Sequence, residues 1–217
     1  MKNLSVCWFY LFVLVSCQSE KKIDRSVVDE VKKSSEVKKL SEAEIIDHAI
    51  KWGNEISQEA QEALIGALQG AIAGKGVAGA IGFCHEEALP ITQKTAEKHR
   101  VKIKRVSSKN RNPDNAPNED EQEVWDAYVY NAENNVDNRP NIQKIDGGET
   151  LLYTRAIQIP SSLCLNCHGE PGKDIDETTL GTIHQIYPED KATGYKVGDL
   201  RGMWSIYLPK KEVVKRM

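Results

Sequence analysis

Five consecutive residues, Cys164-Leu165-Asn166-Cys167-His168, carry the most specific chemistry in the 217-residue chain. Two thiols lie one turn apart, and an imidazole follows directly. This is the attachment spacing of a c-type haem. Each thiol can form a thioether with a vinyl group on the same porphyrin edge. The next residue, His168, then reaches the iron from one face as the proximal ligand. Other uses of a CxxC pair fit less well. A thioredoxin-type pair opens a helix after a strand in a βαβ unit, and the flanking Ser-Leu and Gly-Glu-Pro-Gly offer no such setting. Structural zinc needs four ligands, commonly as two paired clusters, and the chain has one cluster. The expectation is one covalent haem c. A haem-free thiol–disulfide oxidoreductase using Cys164 and Cys167 is the alternative from another class. An anchored scaffold that binds metal adventitiously at the motif is the third.

The other three of the five cysteines have distinct settings. Cys7 falls in residues 4–16, which carry no charge and follow Lys2. As a helix this stretch reaches roughly 20 Å, short of the roughly 30 Å hydrocarbon core, so it reads as a signal h-region rather than a span. It ends in Leu14-Val15-Ser16-Cys17, which resembles the bacterial lipobox and makes Cys17 the expected lipidated first residue of the mature chain. The expected address is therefore export, with a lipid anchor on the periplasmic side of a bacterial membrane. Cys84 remains as a lone thiol, leaving no pair for a disulfide.

Iron in haem c takes up to two axial ligands. Besides His168 the chain offers His48, His85, His99, His184, Met203 and Cys84. Met203 opens an apolar run and reads as core. On the residues alone, Cys84 and His85 stand level. Elsewhere there is no GxSxG, HExxH or P-loop string, which favours an electron carrier or sensor over a catalyst. The 29 Lys+Arg against 32 Asp+Glu give a net charge of −3, against the basic excess of a nucleic-acid binder.

The elements that must position these groups follow from periodicity. Residues 1–16 are the signal, 17–40 a charged, Ser-rich tether that lacks the apolar surface to repay its ordering, and 41–217 the domain. Ser41 and Glu44 have capping-box spacing. Apolar residues from Ile45 to Leu68 then recur at three- and four-residue steps. Gly74 and Gly76 are expected to break this helix. A second helix follows, with Ile81, Cys84, Ala88 and Ile91 on one face and an interruption or kink at Pro90. Residues 101–107, 151–159 and 203–208 read as strands. A helix runs from Glu119 to about Asn134 with Val124, Trp125, Tyr128 and Val129 inward, and residues 135–148 read as irregular. Long helices followed by strands without βαβ alternation predict an α+β fold with an antiparallel sheet.

Four segments, in order, resemble a family of single-haem c-type domains with a PAS-like fold. They are residues 80–91 (AIGFCHEEALPI), Lys104-Arg105-Val106-Ser107 with residues 111–117 (RNPDNAP), Cys164-x-x-Cys167-His168-Gly169, and residues 187–195 (YPEDKATGY) with Gly198-Asp199 and Arg201-Gly202. They span roughly residues 45–210. The resemblance implies a PAS-like antiparallel sheet with long N-terminal helices, and His168 and Cys84 as axial ligands. A thiolate ligand stabilises ferric iron, so the implied potential is low. The implied roles are low-potential electron transfer or redox or gas sensing, with a separate redox or signalling protein as partner. Arg105 and Arg111 are candidates to grip haem propionates, because a guanidinium matches a carboxylate with two bonds.

Overall fold

Asp24 opens a short helix, α1 (Arg25–Ser34), its Oδ1 accepting from the Ser26 N–H at 3.0 Å. The structure, a computed structural model, describes residues 24–34 and 40–217. The expected signal, Cys17 and much of the tether lie outside the described residues. The chain divides into two units, 1–39 and 40–217. In the first, the described part of the tether is helical with exposed side chains over residues 24–29.

The second unit starts with the expected reciprocal cap. Ser41 Oγ accepts from the Glu44 N–H, and the Glu44 carboxylate accepts from the Ser41 N–H at 2.8 Å. The helix so begun, α2 (Glu42–His99), is helical throughout except at Gly76, where φ is 70° and ψ 177°. Gly76 therefore breaks it as expected, while Gly74 continues it. The two arms return alongside each other. Trp52 Nε1 donates to His99 Nδ1 at 3.4 Å, and Glu59 takes both Lys98 at 2.7 Å and His99 at 2.9 Å. Small residues make the close approach possible: Ser57, Ala60 and Ala71 on the first arm and Ala80, Thr92 and Thr95 on the second are buried. The interruption expected at Pro90 does not occur. Pro90 and Glu86 are both exposed, so water can satisfy the carbonyl that loses its donor. One 18-residue window of α2 is long and apolar enough to cross a membrane by composition, with a mean hydropathy of 1.4. Only 11% of that window is buried; the start of the first arm, Ile45 to Ile56, lies on a sheet.

That sheet contains β1 (Lys102–Val106), then, after helix α3 (Glu119–Glu133), β2 (Asn141–Ile145), β3 (Thr150–Gln158) and finally β4 (Leu200–Pro209). All neighbours are antiparallel, in the order β1-β4-β3-β2. Between β3 and β4 run α4 (Leu165–His168) and α5 (Glu177–Ile186), and α6 (Lys210–Lys215) follows β4. Strand alternation sorts the two faces. Leu151, Tyr153, Ile206 and Leu208 pack against Ile45, Ala49, Trp52 and Ile56 of α2. Val106 and Met203 pack on the other face against Val124, Trp125 and Tyr128 of α3. Strand β2 lies within the segment expected to be irregular, and α5 was not expected at all. The architecture is the α+β, antiparallel one read from the sequence.

Candidate functional site

The motif lies on a single turn. A short 3-10 turn, Ser162–Cys164, runs directly into α4, so Cys164 and Cys167 project from the same side. Both thiols are free and half-buried. Cys164 packs with Ile159, Ala192 and Tyr195, and Cys167 with Ile81, Ile175 and Ile183. Burial pushes the Cys167 thiol up to about 11, despite the opposing pull of Arg111. His168 Nδ1 lies 2.7 Å from the carbonyl of Ala192. A carbonyl only accepts, so Nδ1 carries the proton and Nε2 keeps its lone pair. Burial first, and then the charges of Arg201 and Arg111, hold His168 well below the usual histidine range, in the neutral form a ligand needs. The next residue must be small: a Cβ on Gly169 would meet Asp174 Cβ at 2.5 Å and the Leu165 carbonyl at 2.8 Å.

A return loop closes over this turn. Tyr195 N–H donates to His168 O at 2.9 Å, and Gly194 N–H to Gly169 O at 2.7 Å. Gly194 has φ 77°, a conformation that suits glycine. Arg111 ties the loop down from a third segment. Its Nε and Nη2 bond Asp190 at 3.0 and 3.2 Å, and Nη2 also reaches the carbonyls of Cys167 at 2.6 Å and Ala192 at 3.3 Å. The expected propionate partner thus has two of its three nitrogens committed within the protein.

The facing wall is the second arm of α2. Cys84 is half-buried one turn beyond Ile81, which packs in the same cluster as Cys167. Burial raises the Cys84 thiol, and Arg105 and Arg111 are close enough to pull it back. Cys84 and Cys167 also lie within electrostatic reach of each other. His85, the next residue round the helix, is exposed and meets Tyr187 edge-on with ring centres 5.2 Å apart. His99 is held by Glu59 and Trp52, and His184 is exposed. Met203 is fully buried on the α3 face of the sheet, in the core role expected for it.

Three arginines complete the surroundings. Trp204 pairs with Arg105 on one side and Arg155 on the other, so both guanidinium stems lie on the α2 face. Arg105 makes no hydrogen bond or ion pair among the described residues, and burial lowers its pKa. Arg201 donates from Nη1 to the Lys109 carbonyl at 3.2 Å and lies 5.4 Å over the Tyr195 ring, with Lys109 Nζ 4.4 Å from the same ring. Among the described residues Arg201 Nε is buried with no partner. Sequence reasoning gave Arg201, Arg155, Tyr195 and Asp190 no chemistry. A buried arginine and a solvated one look alike in a single sequence, and only the sheet register and the return loop separate them. Among the described residues no three His, Cys, Asp or Glu side chains are grouped to hold a bare metal ion.

A solved structure described as the crystal structure of the cyanobacterial haem protein Tll0287 superposes with a TM-score of 0.50 at 24% identity, covering 71% of this chain and 91% of that one. No curated protein matches. The model of the Tll0287-like family matches residues 20–209, which takes in the paired cysteines, His168, the α2 hairpin and the whole sheet. The chain belongs to the Tll0287-like family.

Proposed function

We propose that this chain carries one haem c and serves one-electron chemistry, as a low-potential electron carrier or as a redox or gas sensor. The observation that carries the reading is the His168 geometry. Its Nδ1 proton is given to the Ala192 carbonyl at 2.7 Å, on a turn that puts Cys164 and Cys167 on one side. The donor set fits the group: two thiols for thioether bonds, a neutral imidazole with Nε2 available, a thiol on the facing helix, and the buried unpartnered Nε of Arg201 for a carboxylate. When bound, haem supplies a ferric/ferrous couple and, if one axial ligand leaves, a place for a small gas.

In this reading Cys164 and Cys167 hold the group covalently, and His168 and Cys84 are its axial ligands. Cys84 is favoured over His85 because it is half-buried beside the Cys167 cluster while His85 is exposed. Arg105 and Arg201 have donors left for the propionates; Arg111 serves the loop. The thiol oxidoreductase alternative is disfavoured by the setting: the pair lies on a 3-10 turn running into a four-residue helix, not at the start of a long helix after a strand. The proposal includes the address: cleavage after residue 16, lipid on Cys17, and residues 17–40 as tether on the periplasmic side of the membrane, with a separate redox or signalling partner and no nucleic acid.

A pyridine haemochrome spectrum of the chain, made with the cytochrome c maturation machinery, tests the cofactor. A c-type spectrum is expected, and its loss in Cys164→Ser/Cys167→Ser. Absence of covalent haem in the unaltered chain would overturn the reading. Cys84→Ala should change the ferric low-spin spectrum; an unchanged spectrum would assign the sixth position to another group.

A further inference from the structure

The carbonyl that receives the His168 proton is itself fixed from both ends of its residue. Asp190 Oδ1 accepts the Ala192 N–H at 3.0 Å. Arg111 Nη2 lies 3.3 Å from the Ala192 carbonyl, against 2.7 Å for His168 Nδ1. Arg111 and Asp190 form a two-bond ion pair whose side chains are 12% and 3% exposed, and Ala192 is fully buried. The shared nitrogen Nη2 also bonds the carbonyl of Cys167, the residue just before His168. Three segments far apart in sequence thus converge on a single residue, Ala192, and fix the carbonyl that accepts from His168.

We propose that Asp190 and Arg111 are positioning residues for His168, acting through the backbone on either side of Ala192 to set the Nδ1–H bond and thereby the donor strength of Nε2. The inference rests on the haem reading above. An outer partner that accepts the second imidazole proton raises the basicity of the ligating nitrogen, and a more basic imidazole favours ferric iron. The Asp190 carboxylate keeps the guanidinium drawn toward itself, so Ala192 O remains chiefly His168's acceptor. Without that charge the guanidinium turns on its remaining acceptors, the carbonyls of Cys167 and Ala192. The histidine bond weakens, and a buried cation is left uncompensated. Both changes favour ferrous iron. Loss of the Arg111 charge does the reverse: the carbonyl is no longer shared, and an anion is left beside it.

The two residues should therefore move the potential in opposite directions; loss of opposite charges alone has the same sign, so the His168 Nδ1 exchange decides whether the effect runs through the imidazole. The full chain is matured with haem as unaltered protein, Asp190→Asn and Arg111→Gln. Asp190→Asn should shift the ferric/ferrous equilibrium about tenfold toward ferrous, and Arg111→Gln about tenfold toward ferric, each about 59 mV for one electron. Asp190→Glu should restore most of the first shift. Exchange of the His168 Nδ1 proton, followed by nitrogen-15 NMR, should be at least tenfold faster in Asp190→Asn. Either variant alone carries the test if the other does not mature. Unchanged potentials and exchange with haem attached, shifts of the same sign, or failure of both variants to mature would overturn the inference. If the unaltered chain takes no haem, the functional reading fails separately. The Nδ1 exchange comparison, made on haem-free protein, then still decides whether the network holds His168.

Discussion

Among the described residues, Arg201 Nε is a buried donor with nothing to donate to. Leaving such a group unmatched costs about 1–3 kcal/mol, and more when it is charged. Burial also pulls the Arg201 pKa down, so its charge is expensive where it stands. A carboxylate at this position gives Nε its partner. Arg201→Leu should therefore weaken the haem-loaded protein by about 1.5–3 kcal/mol, the range for a hydrogen bond to a charged group. In the haem-free Cys164→Ser/Cys167→Ser background the same change should cost distinctly less, because Nε then has no partner to lose and only the Nη1 bond to Lys109 and the Tyr195 contact go. Denaturant midpoints in the two backgrounds decide it, and equal losses in both would remove the carboxylate role. Arg111, by contrast, read from sequence as another propionate partner, finds its acceptor 79 positions away at Asp190. No local pattern around residue 111 could have indicated that pairing.

Between helix and sheet, a close approach falls at Gly53. A Cβ there would lie 2.2 Å from the Tyr153 ring. That ring is fully buried and anchored by its hydroxyl, which donates to Asn54 Oδ1 at 2.7 Å, so it has nowhere to move. Helix propensity alone would reward Gly53→Ala by about 1 kcal/mol. Overpacking costs about 1–3 kcal/mol, and a contact so far inside van der Waals distance places the outcome at the upper end. Gly53→Ala should thus be destabilising, lowering the thermal midpoint by about 2–4 °C per kcal/mol for a chain of this size; an unchanged or raised midpoint would mean that α2 can lift off β3 freely. The same scale shows why some elements are legible in sequence and others are not. Ser41 with Glu44, Gly76, and the inward positions Val124, Trp125 and Tyr128 are local signals, and each is realised. Strand β2 is half-exposed, at the sheet edge, with Gln143 and Lys144 outward. It owes its structure to pairing with β3 rather than to its own pattern. Helix α5 depends on Asp176 accepting from Thr179 N–H at 2.7 Å and on burying Ile183 against nearby Ile175 and against Ile81 of α2, over a hundred positions earlier.

The molecule as a whole has unequal cores. The large one, from Ile45, Trp52 and Ile56 to Leu151, Tyr153, Ile206, Leu208 and Val213, uses no residue of 160–195, and neither does the core under α3. The two clusters at the motif are small, each with three buried residues, and each includes one of the paired cysteines among its partly buried members. Little apolar burial holds residues 162–195 and the second arm around Cys84, so these parts depend most on whatever the cysteines and His168 bind. Ligand binding that occurs only in the folded state adds stability where the ligand makes its contacts, and local opening is governed by local contacts. Haem-free Cys164→Ser/Cys167→Ser protein should therefore show amide exchange at least about tenfold faster over residues 162–195 and near Cys84, about 1.4 kcal/mol. Protection in β2, β3, β4 and the first arm of α2 should stay as in the haem-loaded chain. Hydrogen exchange with mass spectrometry resolves these segments. A loss spread evenly through the sheet would mean that the site and the large core form one cooperative unit, and that the motif end does not open separately.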